Sequence, residues 1–384
     1  MKTFEEINEK IRSGKAVVVT ADEIKKLSET LKPSEIAKKV DVVTTGTFGP
    51  MCSSGAFVNF GHANPPIRME KATLNDVPIF TGIAAVDAYI GATETKNPHD
   101  RYGGAHVIED LIAGKKVHLK ASGKGTDCYP RKEIDTWITK ESVNELFMFN
   151  PRNAYQNYAV AVNTSSKKLH TYMGVLLPKL GNATYSTSGE LSPLLNDPQL
   201  RTIGIGTRIF LGGTEGYVAW NGTQFNTSKP VNEFGIPTSN AATLAVIGDM
   251  KKMNTQFIKA AYYEKYGVSL FVGIGIPIPI LDEDIAERVC IRNRQIETTV
   301  FDYSHPDHPK IGSANYEELQ SGAIIINEKR IRTAPLSSIS VAREITEQLK
   351  QRILSGTFLL NAPAELFPTN NSLQSLKEIK EEQI

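Results

Sequence analysis

The chain has 384 residues, 40% of them apolar and 22% charged, with a formal net charge of +1. That composition suits a globular protein with a sizeable core, and it excludes a reader of polyanions, which would show a basic surplus or stripe. Its three cysteines, Cys52, Cys128 and Cys290, are widely separated, so they form neither a disulfide framework nor a zinc spacing, and a reducing, cytoplasmic setting is expected.

The opening segment, MKTFEEINEKIRSG, is too charged for a signal peptide and places Phe4, Ile7 and Ile11 at helical spacing. KAVVVT predicts a short buried strand, and Thr20 caps a helix over ADEIKKLSETL. PSEIAKKVDVVTTGTFG predicts another helix and another strand. GKKVHLKASGKG and RKEIDTWIT predict two strands, and KESVNELFMF a helix capped by Thr139. NYAVAVNTSSKKLHTYMGVLLP resembles a hairpin turning at Asn163 to Lys168, and TIGIGTRIFLGGTEGYVAWNGTQFN three short strands joined at glycines.

Helices are expected over SNAATLAVIGDMKKM and over TQFIKAAYYEKYG, the latter ending at Gly267. VSLFVGIGIPIPIL reads as a buried strand breaking into a loop. It is shorter than the ~20 residues of a spanning helix and interrupted by Gly and Pro, so no membrane association is expected. Asp282 caps EDIAERVCI, GAIIINEKRIRT predicts a strand pair, and SSISVAREITEQLKQRILSG predicts a helix stopped by Gly356. The charged tail SLQSLKEIKEEQI reads as a further helix. The alternation predicts an α/β protein with mixed sheets and helices packed around them. No linker interrupts it, so residues 1–384 are expected to form one large domain, lobed at most, with Tyr303 to Ser313 as the best boundary.

GIGTRIFLGG begins as a dinucleotide fingerprint, but its third glycine is Ile209 and no helix follows; SGKG lacks the frame of a phosphate loop. Cys290 lies beside the apolar stripe of Ile285 and Val289 and reads as a core residue. Cys52 and Cys128 differ: each follows a predicted strand and stands in a Gly-rich loop, TTGTFGPMCSSG and ASGKGTDCYPR. Loops on a rigid scaffold are where reactive groups tend to lie. Lys124, Arg131 and Lys132 flank Cys128 and favour a thiolate, while Asp127 opposes it. His62, ten residues after Cys52, is placed to reach the same pocket.

The strings TTGTFGPMCSSGAFVNFGHANPPIRM, YGGAHVIEDLIAGK, SGKGTDCYPRKE, MGVLLPKLGNATYSTSGELSPLLNDP and GIGTRIFLGGTEGYVAWNGTQF resemble the homocysteine biosynthesis proteins, whose members include the catalytic subunit of L-aspartate semialdehyde sulfurtransferase. The resemblance runs from about Val42 to Phe367. It implies conversion of an amino-acid aldehyde to a thiol, with sulfide as the ultimate sulfur donor and two electrons from outside. Cys128 and Cys52 match the family's two cysteines, which makes Cys128 the expected sulfur carrier, held as a persulfide, and Cys52 the resolving thiol. A mixed disulfide resolved between them would need their Cα atoms within ~7 Å. Arg131, Arg68 and Arg208 are the candidate partners of the substrate carboxylate, and His62 a candidate proton donor.

The resemblance also implies a ferredoxin-like iron–sulfur subunit as the external reductant, with no tightly bound cofactor or metal in this chain. A homodimer is expected from chain size and metabolic role. The CBS domains that some relatives add are not expected after Ile384. Two other readings stand beside this one: an iron–sulfur enzyme with Cys52, Cys128 and Cys290 as ligands, and a non-catalytic sulfur-relay scaffold.

Overall fold

The computed structural model describes residues 1–378. It is a mixed α/β domain built on several sheets, with eight α-helices among the described residues. Helices begin where the sequence supplies caps. Thr3 and Thr20 each form a capping box, Asp282 accepts from the Ile285 amide, and Ser338 accepts from the Val341 amide at the start of Ile339–Leu354.

The largest sheet has nine strands. Eight run in spatial order Ile258–Tyr263, Gly267–Gly275, Arg208–Leu211, Thr214–Asn221, Leu244–Asp249, Glu145–Asn153, Gly55–Asn59, Asp87–Gly91. The ninth, Thr47–Pro50, pairs antiparallel with Gly267–Gly275, from Phe271↔Pro50 to Ile274↔Thr47. In a flat sheet Gly267–Gly275 and Gly55–Asn59 would lie five strand spacings, about 24 Å, apart. Residues 51–54 alone join Thr47–Pro50 to Gly55–Asn59. The sheet therefore curls round, and this turn, which contains Cys52, closes the curl. Gly55 must be glycine here: an added Cβ would stand 2.0 Å from the Tyr89 hydroxyl. The helix Ile339–Leu354 seals the outside, burying Ile345, Leu349 and Ile353 against Phe48, Phe210 and Phe257. Each such buried side chain contributes about 1.5–3 kcal/mol.

Among the described residues, two of the five smaller sheets matter most for the site. Four antiparallel strands, Val77–Ile79, Lys71–Leu74, Val117–Ser122 and Glu133–Ile138, form an arm whose last hairpin carries Cys128 at its tip. Six strands, Lys310–Asn315, Glu297–Asp302, Val160–Val162, Ala183–Tyr185, Lys329–Pro335 and Ala323–Ile326, enclose a separate apolar cluster that includes Val160, Tyr185, Val300 and Tyr316.

Three segments expected as helices are strands. KESVNELFMF supplies Glu145–Asn153, SNAATLAVIGDMKKM supplies Leu244–Asp249, and TQFIKAAYYEKYG supplies Ile258–Tyr263, which forms a hairpin with Gly267–Gly275. In the first, Leu146, Met148 and Asn150 are buried at a period of two, and Phe147 and Phe149 meet Phe57 of the neighbouring strand. The hairpin expected to turn at Asn163 to Lys168 turns instead at Tyr172 and Met173, between Leu169–Thr171 and Gly174–Leu176. The tail is not helical over Ser372 to Glu378, and the rest of that expected helix lies outside the described residues. No helix among the described residues is long and apolar enough to cross a membrane.

Candidate active site

Cys52 is half-buried in the closing turn and lines a small cavity of about 40 Å³. Five tyrosines share the lining: Tyr155, Tyr158, Tyr172, Tyr263 and Tyr266, together with Ser186 and Ser269. They arrive from separate parts of the fold. Tyr155 and Tyr158 follow the strand Glu145–Asn153, Tyr172 sits in the small hairpin turn, and Tyr263, Tyr266 and Ser269 come from the hairpin beside Thr47–Pro50. The rings pack on one another: Tyr155 meets Tyr158 edge to face at 4.7 Å, and the Tyr172 hydroxyl bonds that of Tyr303 at 2.7 Å.

Burial is the leading cause that pushes the Tyr155 hydroxyl up to about 12, and it pushes Tyr158, Tyr263 and Tyr266 upward too. Charge on Cys52 acts in the same direction on Tyr155, Tyr263 and Tyr266. The wall is thus made of protonated hydroxyls, able to donate to a sulfur or oxygen anion at neutral pH.

The turn is fixed from behind by Asn150. Its side-chain carbonyl accepts from the Ser53 hydroxyl at 2.9 Å and from the Arg152 amide at 2.9 Å, and its amide donates to the Ser54 hydroxyl at 2.7 Å. Asn150 is fully buried. One residue therefore ties the Cys52 turn to the ladder shift between Asn150 and Asn153, a bulge that turns Arg152 toward the same region. Sequence reasoning singled out neither Arg152 nor the tyrosines. Arg152 is masked by the Pro151 before it, a residue that argues against a strand, and the tyrosines are scattered over a hundred residues.

Cys128 is exposed and does not line this cavity. It sits in a four-residue turn in which Thr126 and Tyr129 exchange backbone hydrogen bonds at 2.8 and 3.1 Å. Gly125 before it adopts φ +73°, which glycine tolerates. The loop packs on residues 62–68: the His62 ring stacks on Tyr129 at 6.0 Å, and the Arg131 amide donates to the Pro66 carbonyl at 3.2 Å. His62 thus accompanies Cys128 and not Cys52. The strand Gly55–Asn59 lies between the two thiols. Cys52 precedes its start, the His62–Tyr129 stack follows its end, and its four steps alone cover about 13 Å. The shared pocket expected for Cys52 and Cys128 is not formed in this conformation.

The expected arginines are placed apart. Arg131 donates through Nε to the Glu133 carbonyl at 2.9 Å, where the strand Glu133–Ile138 begins. Arg68 is exposed on the wall of an open cleft of about 970 Å³ beside the Cys128 arm, a cleft that Glu70, Asp76, Glu133 and Asp135 share with Lys71, Lys96 and Lys120. Arg208 is committed to Glu215 and lies over the Phe358 ring at 5.0 Å. Cys290, in the turn that ends the helix Glu283–Arg288, donates to the Ala286 carbonyl at 3.0 Å near the buried Lys25. Among the described residues no three His, Cys, Asp or Glu side chains gather as metal ligands, so the reading in which three cysteines hold a cluster lacks its ligand set.

Fold and site together define an α/β protein with a half-buried thiol in a tyrosine-lined pocket where its largest sheet curls round. The chain belongs to the homocysteine biosynthesis enzyme, sulfur-incorporation family, which it matches over residues 16–360. It is 51% identical over 403 aligned residues to a Methanocaldococcus jannaschii protein named L-aspartate semialdehyde sulfurtransferase, covering 99% of this chain and 77% of that one. A Methanosarcina acetivorans protein of the same name is 47% identical over 380 residues, covering 98% and 74%. A protein of Methanothermobacter thermautotrophicus described only as uncharacterized is 27% identical over 331 residues, covering 83% and 72%. No solved structure matches the chain significantly.

Proposed function

We propose that this chain is an L-aspartate semialdehyde sulfurtransferase, forming L-homocysteine at the Cys52 cavity. The observation that carries the reading is a half-buried thiol facing a wall of protonated hydroxyls, in a chain whose two relatives at about half identity bear that name. In net terms, the aldehyde, hydrogen sulfide, two electrons and two protons give the thiol and water. Sulfur attacks the carbonyl carbon, the oxygen leaves as water with protons relayed by hydroxyls such as Tyr155 and Tyr263, and two electrons reduce the thiocarbonyl level to the thiol. Sulfur carried at the persulfide level takes two electrons more.

Cys128 is the surface thiol in this scheme. Its exposed turn opens it to a persulfide-level sulfur donor, whose terminal sulfur passes to the Cys128 thiolate as the donor thiolate leaves, so that the sulfur is held as a persulfide. The electrons come from a separate ferredoxin-like iron–sulfur protein. The test is anaerobic: purified protein, aspartate semialdehyde, sulfide and a low-potential reductant, with homocysteine measured after alkylation. Homocysteine that depends on Cys52 is the expected result. Folded protein with reduced thiols that makes none, with sulfide or with a persulfide donor, ends the reading.

A further inference from the structure

We propose that Arg152, Tyr263 and Ser269 form a carboxylate-binding subsite beside Cys52, which takes the carboxylate of a small amino-acid ligand and sets its reactive carbon toward the thiol. The identity of the ligand rests on the reaction read above; the subsite rests on the side chains alone.

Three polar atoms in this region are buried without a hydrogen-bond partner: Arg152 Nε, Tyr263 Oη and Ser269 Oγ. Native structures leave few such groups, and each one asks for a missing partner. Ser269 is 1% exposed, and both it and Tyr263 line the cavity with Cys52. The Arg152 carbonyl accepts from Ser53, the residue after Cys52, at 3.1 Å. Its side chain stands behind the lining rather than in it, where the guanidinium bonds to and acts by charge on Tyr155 and acts by charge on Tyr266, two walls of the cavity, while its Nε stays unpaired.

The chemistry of the missing partner follows from the donor set. Guanidinium offers donors and no acceptor, and the two hydroxyls can both donate, so the ligand accepts at several points and carries negative charge. No Asp or Glu lines the cavity, so among its lining groups only charge on Cys52 opposes an anion. Its volume of about 40 Å³ admits roughly three water-sized groups, the size of a carboxylate. Tyr172 and Tyr266, 37% and 41% exposed, stand at its rim, where the rest of a ligand would pass.

The test needs no turnover. Iodoacetate and iodoacetamide alkylate a thiol by the same displacement of iodide and differ in the carboxylate. Rates at Cys52 and Cys128 are read separately by peptide mass spectrometry. In the wild type, the iodoacetate-to-iodoacetamide ratio should be higher at Cys52 than at Cys128. Arg152→Gln should lower the Cys52 ratio by about tenfold or more and leave that of Cys128 unchanged, while Arg152→Lys keeps part of it. If Arg152→Gln does not fold, Tyr263→Phe with Ser269→Ala reads the same ratio, with a smaller fall expected. A Cys52 ratio equal to that of Cys128, or unmoved by these changes, overturns the subsite. A ratio that falls as expected in a protein making no homocysteine keeps the subsite and removes the reaction; homocysteine formation with a flat ratio does the reverse.

Discussion

The two loop thiols sit in opposite kinds of environment. Cys52 is enclosed by side chains from distant segments and backed by a buried asparagine, with unpaired donors close by. Cys128 is exposed on a hairpin tip whose neighbours satisfy one another locally: Thr126 with Tyr129, Arg131 with Glu133, and Lys124 with Glu70 at 3.2 Å. Enclosure favours recognition, because donors gain strength where water is excluded. Exposure favours exchange with a second macromolecule. The proposed reaction places substrate handling at the first thiol and sulfur loading at the second, in line with that difference.

The widest break of that comparison comes from serine replacements. Cys52→Ser should reduce homocysteine formation by at least about a hundredfold while Cys128 still gains one sulfur atom on exposure to a sulfur donor, read by intact mass. Cys128→Ser should abolish that mass gain and leave Cys52 open to alkylation. A protein whose gained sulfur resides on Cys52 would invert the assignment.

Asn150→Ala sharpens the same contrast from behind the pocket. It strands the Arg152 amide and takes one partner from Ser53 and Ser54, whose hydroxyls keep their bonds to the Arg152 and Met51 carbonyls, at a cost of about 1–3 kcal/mol of unfolding free energy. A purely structural role would stop there. As a positioning residue Asn150 should also change how fast Cys52 is alkylated by iodoacetate relative to Cys128 in folded protein. On the other side of the comparison, Cys128→Ser should shift stability by no more than about 0.5 kcal/mol in denaturant unfolding, since the side chain is exposed and makes no contact that a core would miss.

What the sequence revealed follows the same division between local and distant. Caps at Thr3, Thr20, Asp282 and Ser338 announce their helices because capping is settled within three residues. The arm strands Val117–Ser122 and Glu133–Ile138 were readable from alternation, and both loop thiols from their glycines. The strands of the curled sheet were not. AAYYEK is rich in helix formers, and only pairing across to Gly267–Gly275 makes Ile258–Tyr263 extended. The site was half visible for the same reason. Cys52 stands out as a residue, but five tyrosines from three chain segments converge only once the sheet has closed, and the bulge that turns Arg152 has no local signature. Arg208, chosen for its Gly-rich surroundings, is held by Glu215 on the neighbouring strand.

The smallest effect is in alkaline stability, to which the enclosed Tyr155 contributes alongside buried tyrosines elsewhere, such as Tyr102 and Tyr316. Burial raises the Tyr155 hydroxyl to about 12 in the folded protein, against about 10 for an exposed tyrosine. Between these values the unfolded chain loses the proton and the native one keeps it. The native state then binds more protons, so the unfolding free energy falls as pH rises. Below about pH 10 both states are protonated and the effect vanishes. Tyr155→Phe should therefore flatten the decline in stability between pH 10 and 12 without altering it at pH 7 beyond a constant offset. Equal slopes for wild type and Tyr155→Phe in urea unfolding at pH 8, 10 and 11 would mean that water reaches the Tyr155 hydroxyl freely, and the enclosure on which the contrast between the two thiols depends would be lost with it.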